Sequence, residues 1–157
     1  MTVTTAVKAS ARAATRQDVF PNLPTDVKKF PVRHGEEPWT VDEVMVQATG
    51  LLDDQVRLSE ELVAAERSLD DLLRNSGDGA GDDQADYGSS ALEREHELTM
   101  VNNLRSLLSQ TEHALGRLQD GSYATCEVTG NAIGKARLQA FPRATLSVEA
   151  KAREERR

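Results

Sequence analysis

Apolar side chains recur along two stretches of this chain in alternating steps of four and three. In the first, Val44, Ala48, Leu51, Gln55, Leu58, Leu62, Ala65, Leu69 and Leu72 form a heptad seam, broken only by the polar Gln55. Upstream, Thr40 and Glu43 have the spacing of a capping box, and Trp39 is placed to staple onto Val44 across the first turn. A second seam follows the same rhythm through Val101, Leu104, Leu108, Thr111, Leu115 and Leu118, with Leu92 and Leu98 less regular, and Gly121 ends it. Between them lies "NSGDGAGDD", residues 75–83, whose three glycines do not continue a helix cheaply. Two matched seams with a short turn predict an antiparallel helical hairpin over residues 39–120, each arm roughly 45 Å long at 1.5 Å per residue. An intermolecular coiled coil is the alternative, which the tight connection disfavours.

The flanks have other patterns. Residues 1–38 mix Ala, Ser, Thr, Pro and basic residues without a sustained apolar period, and read as a flexible arm, either a solubilising tail or a basic contact for nucleic acid or acidic protein surfaces. Residues 121–157 carry polar turns at "DGSYATC" and "TGNAIG", a short "KARLQAF" helix, Pro142 and a charged C-terminal helix. Such a module is too small to fold without a staple. Leu138, Phe141, Leu146 and Val148 are its expected minimal core, leaning on the base of the hairpin.

Composition sharpens this picture. With 38% hydrophobic and 4% aromatic residues in 157, the supply for a thick core is thin, which favours a helix-rich, mainly α chain. Neither a signal-peptide centre nor a membrane span is visible, so a cytoplasmic protein without membrane partners is expected. The net charge of −7 conceals an asymmetry. Residues 1–35 hold six Lys/Arg and two Asp, residues 36–120 six Lys/Arg and twenty acids, and residues 121–157 seven Lys/Arg and four acids. The acidic middle is either a solvated face or a surface aimed at a basic cavity or a metal-bearing partner.

Catalytic constellations are missing from this pattern. His34, His96 and His113 are far apart in sequence, and the two on helices read as solvated side chains. Ser90 and Glu93 read as a capping box, not as a nucleophile and its base. "GDGAGDD" is too acidic to cradle phosphate. The cluster Asp78, Asp82, Asp83 and Asp86 at the turn, within an acidic tip over residues 75–88, has two readings: carboxylates delivered on the end of a narrow rod, or ordinary turn-forming residues.

The segment "LQDGSYATCEVTGNAIGKARLQAFPRATLSVEAK" behind an acidic-tipped hairpin resembles the DksA/TraR family of bacterial RNA polymerase-binding regulators. Their C-terminal module looks like "DGxYGxCxxCGxxIxxxRLxAxPxAxxCxxC", matched without gaps at Asp120, Gly121, Tyr123, Cys126, Gly130, Ile133, Arg137, Leu138, Ala140, Pro142 and Ala144. The likeness covers about residues 40–152. The family's four zinc cysteines fall on Cys126, Thr129, Ser147 and Ala150, so three thiolates are absent. An alanine methyl offers zinc no ligand and neutral hydroxyls are poor ones, so no metal and no other cofactor is expected, and the four small side chains are expected to pack together.

Further implications rest on the same resemblance. The family's paired tip aspartates fall on Asp83 and Asp86, and its small alanine two residues later is Gly88 here. Family members insert the hairpin through the polymerase secondary channel, which implies a non-enzymatic regulator of open-complex stability, partnered by RNA polymerase core or holoenzyme. A monomer without sequence-specific DNA binding is expected. Positions at which some members bind guanosine tetraphosphate fall on Asn103, Gln110, Phe141 and Lys151; only Lys151 is cationic, so weak or absent dependence on that alarmone is expected. Two other functions stay open: a transcript-cleavage or elongation factor whose tip holds a second Mg²⁺ for the polymerase, and a structural coiled-coil adaptor with no polymerase role.

Overall fold

The computed structural model describes residues 27–77 and 84–157, and the side chains of residues 27–75 and 88–157. Two long helices dominate, α1 (Val41–Gly77) and α2 (Gln84–Asp120), followed by the short helices α3 (Lys135–Ala140) and α4 (Val148–Glu155). Among the described residues a 3-10 turn, Val27–Lys29, precedes α1. Among the described residues the only β-type pairing is an isolated antiparallel bridge between Thr125 and Ala132. The mainly helical class expected from the heptads is the class found.

The start of α1 follows its local chemistry. Thr40 N donates to Glu43 Oε2 at 3.0 Å and Glu43 N donates to Thr40 Oγ1 at 3.2 Å, so both halves of the capping box form. Trp39 and Val44 are each 1% exposed, as a hydrophobic staple requires. At the other end of the hairpin sequence, α2 stops where Gly121 adopts φ 86° and its N–H reaches back to the Arg117 carbonyl at 3.0 Å. A side chain in that left-handed conformation would be strained, which is why a glycine closes the helix.

The chain divides into two compact units, Leu52–Glu112 and the combination of Met1–Leu51 with His113–Arg157. In the first, Leu58, Ala65, Val101 and Leu104 are buried, and Leu62, Leu69, Leu107 and Leu108 pack against them. These are seam positions apart from Leu107, and they close the two helices on each other with about 25 cal/mol stabilisation per Å² of apolar surface removed from water. Arg105 Nη2 to Glu66 Oε1, 2.8 Å, adds an ion pair between the helices, exposed enough to contribute little. Thr111, fully buried, satisfies its hydroxyl on the Leu107 carbonyl at 2.8 Å.

In the second unit Val44, Ala48 and Leu51 of α1 and Ala114, Leu115 and Leu118 of α2 are buried, together with Tyr123, Ala124, Cys126, Ile133, Leu138 and Ala150. Three expectations are corrected here. Phe141 and Val148 are 62% and 52% exposed, so of the four proposed core residues only Leu138 is fully buried; Phe141 lies just past the last turn of α3, where its ring meets the Arg137 guanidinium at 5.7 Å. Order does not begin at residue 39: Val27 and Phe30 are buried, and Arg33, Glu36, Glu37 and Pro38 are bonded to Glu149, Ala136 and Lys135. Ser90 caps nothing, because α2 already starts at Gln84; its carbonyl accepts from Arg94 Nε inside the helix.

Candidate functional site

Two sets of residues were singled out by sequence, the tip carboxylates and the four former ligand positions. Asp78, Asp82 and Asp83 lie outside the described residues. Asp86 belongs to the backbone of α2, but its side chain is also outside them. Gly88, inside α2, has nothing within 4 Å of where a Cβ would stand.

The former ligand positions converge. After α2 ends, the chain forms a knuckle in which Cys126 N donates to Asn131 O at 2.7 Å, Gly130 N to Cys126 O at 3.0 Å and Ile133 N to Ala124 O at 2.9 Å. Cys126 is 1% exposed. Its sulfur accepts from Ser147 N at 3.4 Å, and Ser147 in turn caps α4, its Oγ accepting from Ala150 N at 3.2 Å. Burial pushes the Cys126 thiol up, but the Thr129 hydroxyl and the backbone N–H groups of Ser147, Thr129 and Val128 bond to the sulfur and bring it down to about 6.

This donor set does not fit zinc. A closed structural site needs four N, O or S ligands, and here one position is a methyl, while the Ser147 hydroxyl oxygen is already committed to a helix cap. Among the described residues no group of three His, Cys, Asp or Glu side chains is arranged to hold a metal ion. The sulfur is instead met by hydrogen-bond donors, and Ser147 and Ala150 are both buried, at 3% and 4% exposed.

The knuckle is tied to α2 by groups that the sequence did not advertise. Arg117, only 4% exposed, donates through Nη2 to the carbonyls of Ser122, at 2.6 Å, and Thr125. Glu127 accepts from or pairs with His113 Nε2, so His113 is not merely solvated. Asp120 accepts from Ser122 N at 2.8 Å; although burial raises its pKa, the Ser122 donors and the nearby Arg117 and His113 hold it below its ordinary value. A second tie runs from α1: Gln47 Nε2 donates to Leu138 O at 2.6 Å and to the Tyr123 hydroxyl at 3.1 Å, and that hydroxyl donates to Pro142 O at 2.7 Å. The available signal was position, since Gln47 and Arg117 sit among apolar residues on the inward faces of their helices.

Asn103, Gln110, Phe141 and Lys151 are matched to alarmone contacts through the family resemblance alone. Asn103 and Gln110 are exposed and neutral, with Gln110 Nε2 bonded to Ser106 Oγ at 3.1 Å. Lys151 is flanked by Glu154 and Glu155 at 3.6 and 3.9 Å.

A long two-helix hairpin followed by a zinc-finger-shaped module without the zinc ligands defines the class. Residues 121–156 match the model of the prokaryotic dksA/traR C4-type zinc finger, despite the missing cysteines. The RNA polymerase-binding transcription factor DksA of Caulobacter vibrioides is 52% identical over 75 residues, 48% of this chain and 53% of that protein. General stress protein 16O of Bacillus subtilis is 36% identical over 102 residues, 65% of this chain and 62% of that one. Among solved structures, transcription factor DksA2 from Pseudomonas aeruginosa superposes with a TM-score of 0.60 at 31% identity, covering 74% of this chain and 85% of that one. The chain belongs to the DksA/TraR family. It spans about half the length of the Caulobacter relative that it matches.

Proposed function

We propose that this protein is a non-enzymatic transcription regulator that binds RNA polymerase through the secondary channel and alters open-complex stability with the carboxylates of Asp83 and Asp86. The observation that carries this reading is the joint likeness of hairpin and module to transcription factor DksA2, at 31% identity over most of both chains. The printed name of the Caulobacter relative, an RNA polymerase-binding transcription factor, supplies the partner. Physically, a regulator of this kind must bind one promoter-complex state better than another, since equal affinity for both shifts nothing. The acidic middle of the chain is charge that could be aimed at a basic cavity or a metal-bearing partner, and the neutral or counter-charged residues at Asn103, Gln110 and Lys151 support weak dependence on guanosine tetraphosphate. No helix among the described residues is long and apolar enough to cross a membrane, and the proposed place of action is the cytoplasm.

Binding to purified polymerase core, followed by competition with another secondary-channel protein, tests the reading. Saturable binding lost to the competitor is expected. Failure to bind core or holoenzyme contradicts it and leaves the structural adaptor.

A further inference from the structure

The module lacks its metal ligands, yet it is a well-packed unit, so something else must close it. Residues 27–38 run across the module as a strap. Val27 and Phe30 are 3% and 4% exposed, anchoring one end in the core. Arg33 Nη2 donates to Glu149 Oε1 on α4 at 2.6 Å, two residues from the Ser147 cap. Glu36 turns back to accept from Arg33 N at 2.8 Å through Oε1 and from Ala136 N, in the first turn of α3, at 3.2 Å through Oε2. Lys135 Nζ donates to the carbonyls of Glu37 and Pro38 at 3.2 and 3.3 Å and pairs with Glu43 at 2.7 Å. Gly134 lets this happen: its φ is 107°, and a Cβ there would stand 2.8 Å from Arg33 Cδ.

The strap thus bonds α3 and α4, and the C-terminal pair of former ligand positions, 147 and 150, lies at the start of α4. Zinc in a four-cysteine module would join that pair to the knuckle around Cys126 and Thr129. We propose that the strap, together with the donors around the Cys126 sulfur, closes the module in place of a metal, and that releasing the strap opens it. This goes beyond the polymerase reading and does not depend on it. A closure made of weak, reversible contacts opens locally at a rate set by the strap, whereas one made by a metal opens with loss of the metal.

Cys126 is the reporter, being the only cysteine and buried. The rate at which an aromatic disulfide reagent labels it in the full-length protein measures opening. Labelling of the parent is expected to be slow and unchanged by a chelator. Phe30→Ala is expected to raise the rate at least about tenfold, by removing a buried anchor. Arg33→Glu places a negative charge against Glu149 and Glu36 and is expected to raise it about threefold or more, with Arg33→Glu plus Glu149→Arg restoring it to within about twofold of the parent. Arg57→Ala, which breaks exposed pairs with Asp54 and Glu61 in the hairpin, is expected to leave it unchanged. Acceleration of the parent by a chelator overturns the proposal, as does parental labelling in both Phe30→Ala and Arg33→Glu. If Phe30→Ala also loses hairpin helicity, the exposed Arg33–Glu149 exchange decides alone.

Discussion

Tyr123 joins three segments of chain through one hydroxyl, accepting from Gln47 and donating to Pro142 O. Burial pushes its phenol up to about 12, partly opposed by the Gln47 hydrogen bond and by Arg117. Because the folded value lies above the ordinary 10.0, this contribution is complete below pH 10 and is lost as pH rises through 12. Tyr123→Phe is therefore expected to lower stability by about 1–2 kcal/mol at neutral pH and to flatten the alkaline limb of the stability curve. Urea unfolding across pH, followed by the single tryptophan, Trp39, measures both. The acid limb has a different cause. Burial works against the Glu36 charge, but donors from Arg33, Lys135 and Ala136 and the Arg33 charge lower its pKa; Glu43 is lowered by Lys135 and Thr40, and Glu149 by Arg33. Their depressed values mean that these contacts contribute above the ordinary 4.5 and are lost as pH falls below it. Strap and module are expected to loosen in acid, seen as faster exchange of amide hydrogens in residues 126–150 below about pH 4.

At the scale of elements, the hairpin rests on a narrow seam, so each buried side chain has few neighbours to compensate for its loss. Leu58→Ala is expected to cost about 2–4 kcal/mol, read from thermal or urea melting of helix signal. The seam was legible because a heptad repeat is local and redundant: a slip at one position leaves the others to specify the face. The Thr40–Glu43 cap was legible for the same reason, its partners being three residues apart. Ser90–Glu93 has that spacing too, but α2 continues upstream through Gly88, so a local signature was overridden by the helix around it. The strap was not legible. Val27 and Phe30 carry no period, and the polar partners of the strap stand a hundred residues or more away, Ala136 from Glu36 and Glu149 from Arg33. The former ligand positions were readable only through the family's motif, and it was their bonding, Ser147 as cap and Cys126 as acceptor, that sequence could not supply.

For the whole molecule, the proposal is that the strap and the donors around the Cys126 sulfur close the module in place of a metal, on a backbone that keeps the layout of a metal site. If that layout is intact, Thr129→Cys, Ser147→Cys and Ala150→Cys together are expected to bind about one zinc per chain with tetrahedral thiolate absorption on cobalt substitution, whereas the parent purified without chelator is expected to carry none. Stoichiometric zinc in the parent contradicts the metal-free reading. The central claim concerns the turn between the two long helices: we propose that the hairpin delivers charge to the polymerase, with the shaft and module supplying affinity and Asp83 and Asp86 supplying the difference between promoter states. Asn preserves the size and turn-forming capacity of Asp and removes its charge. The decisive measurement is the open-complex lifetime on a short-lived promoter, comparing the parent with Asp83→Asn plus Asp86→Asn at equal polymerase occupancy. The account predicts that the double variant binds polymerase nearly as well as the parent and leaves the lifetime at its factor-free value; a lifetime changed as much as by the parent contradicts it and makes obstruction of the channel the better mechanism.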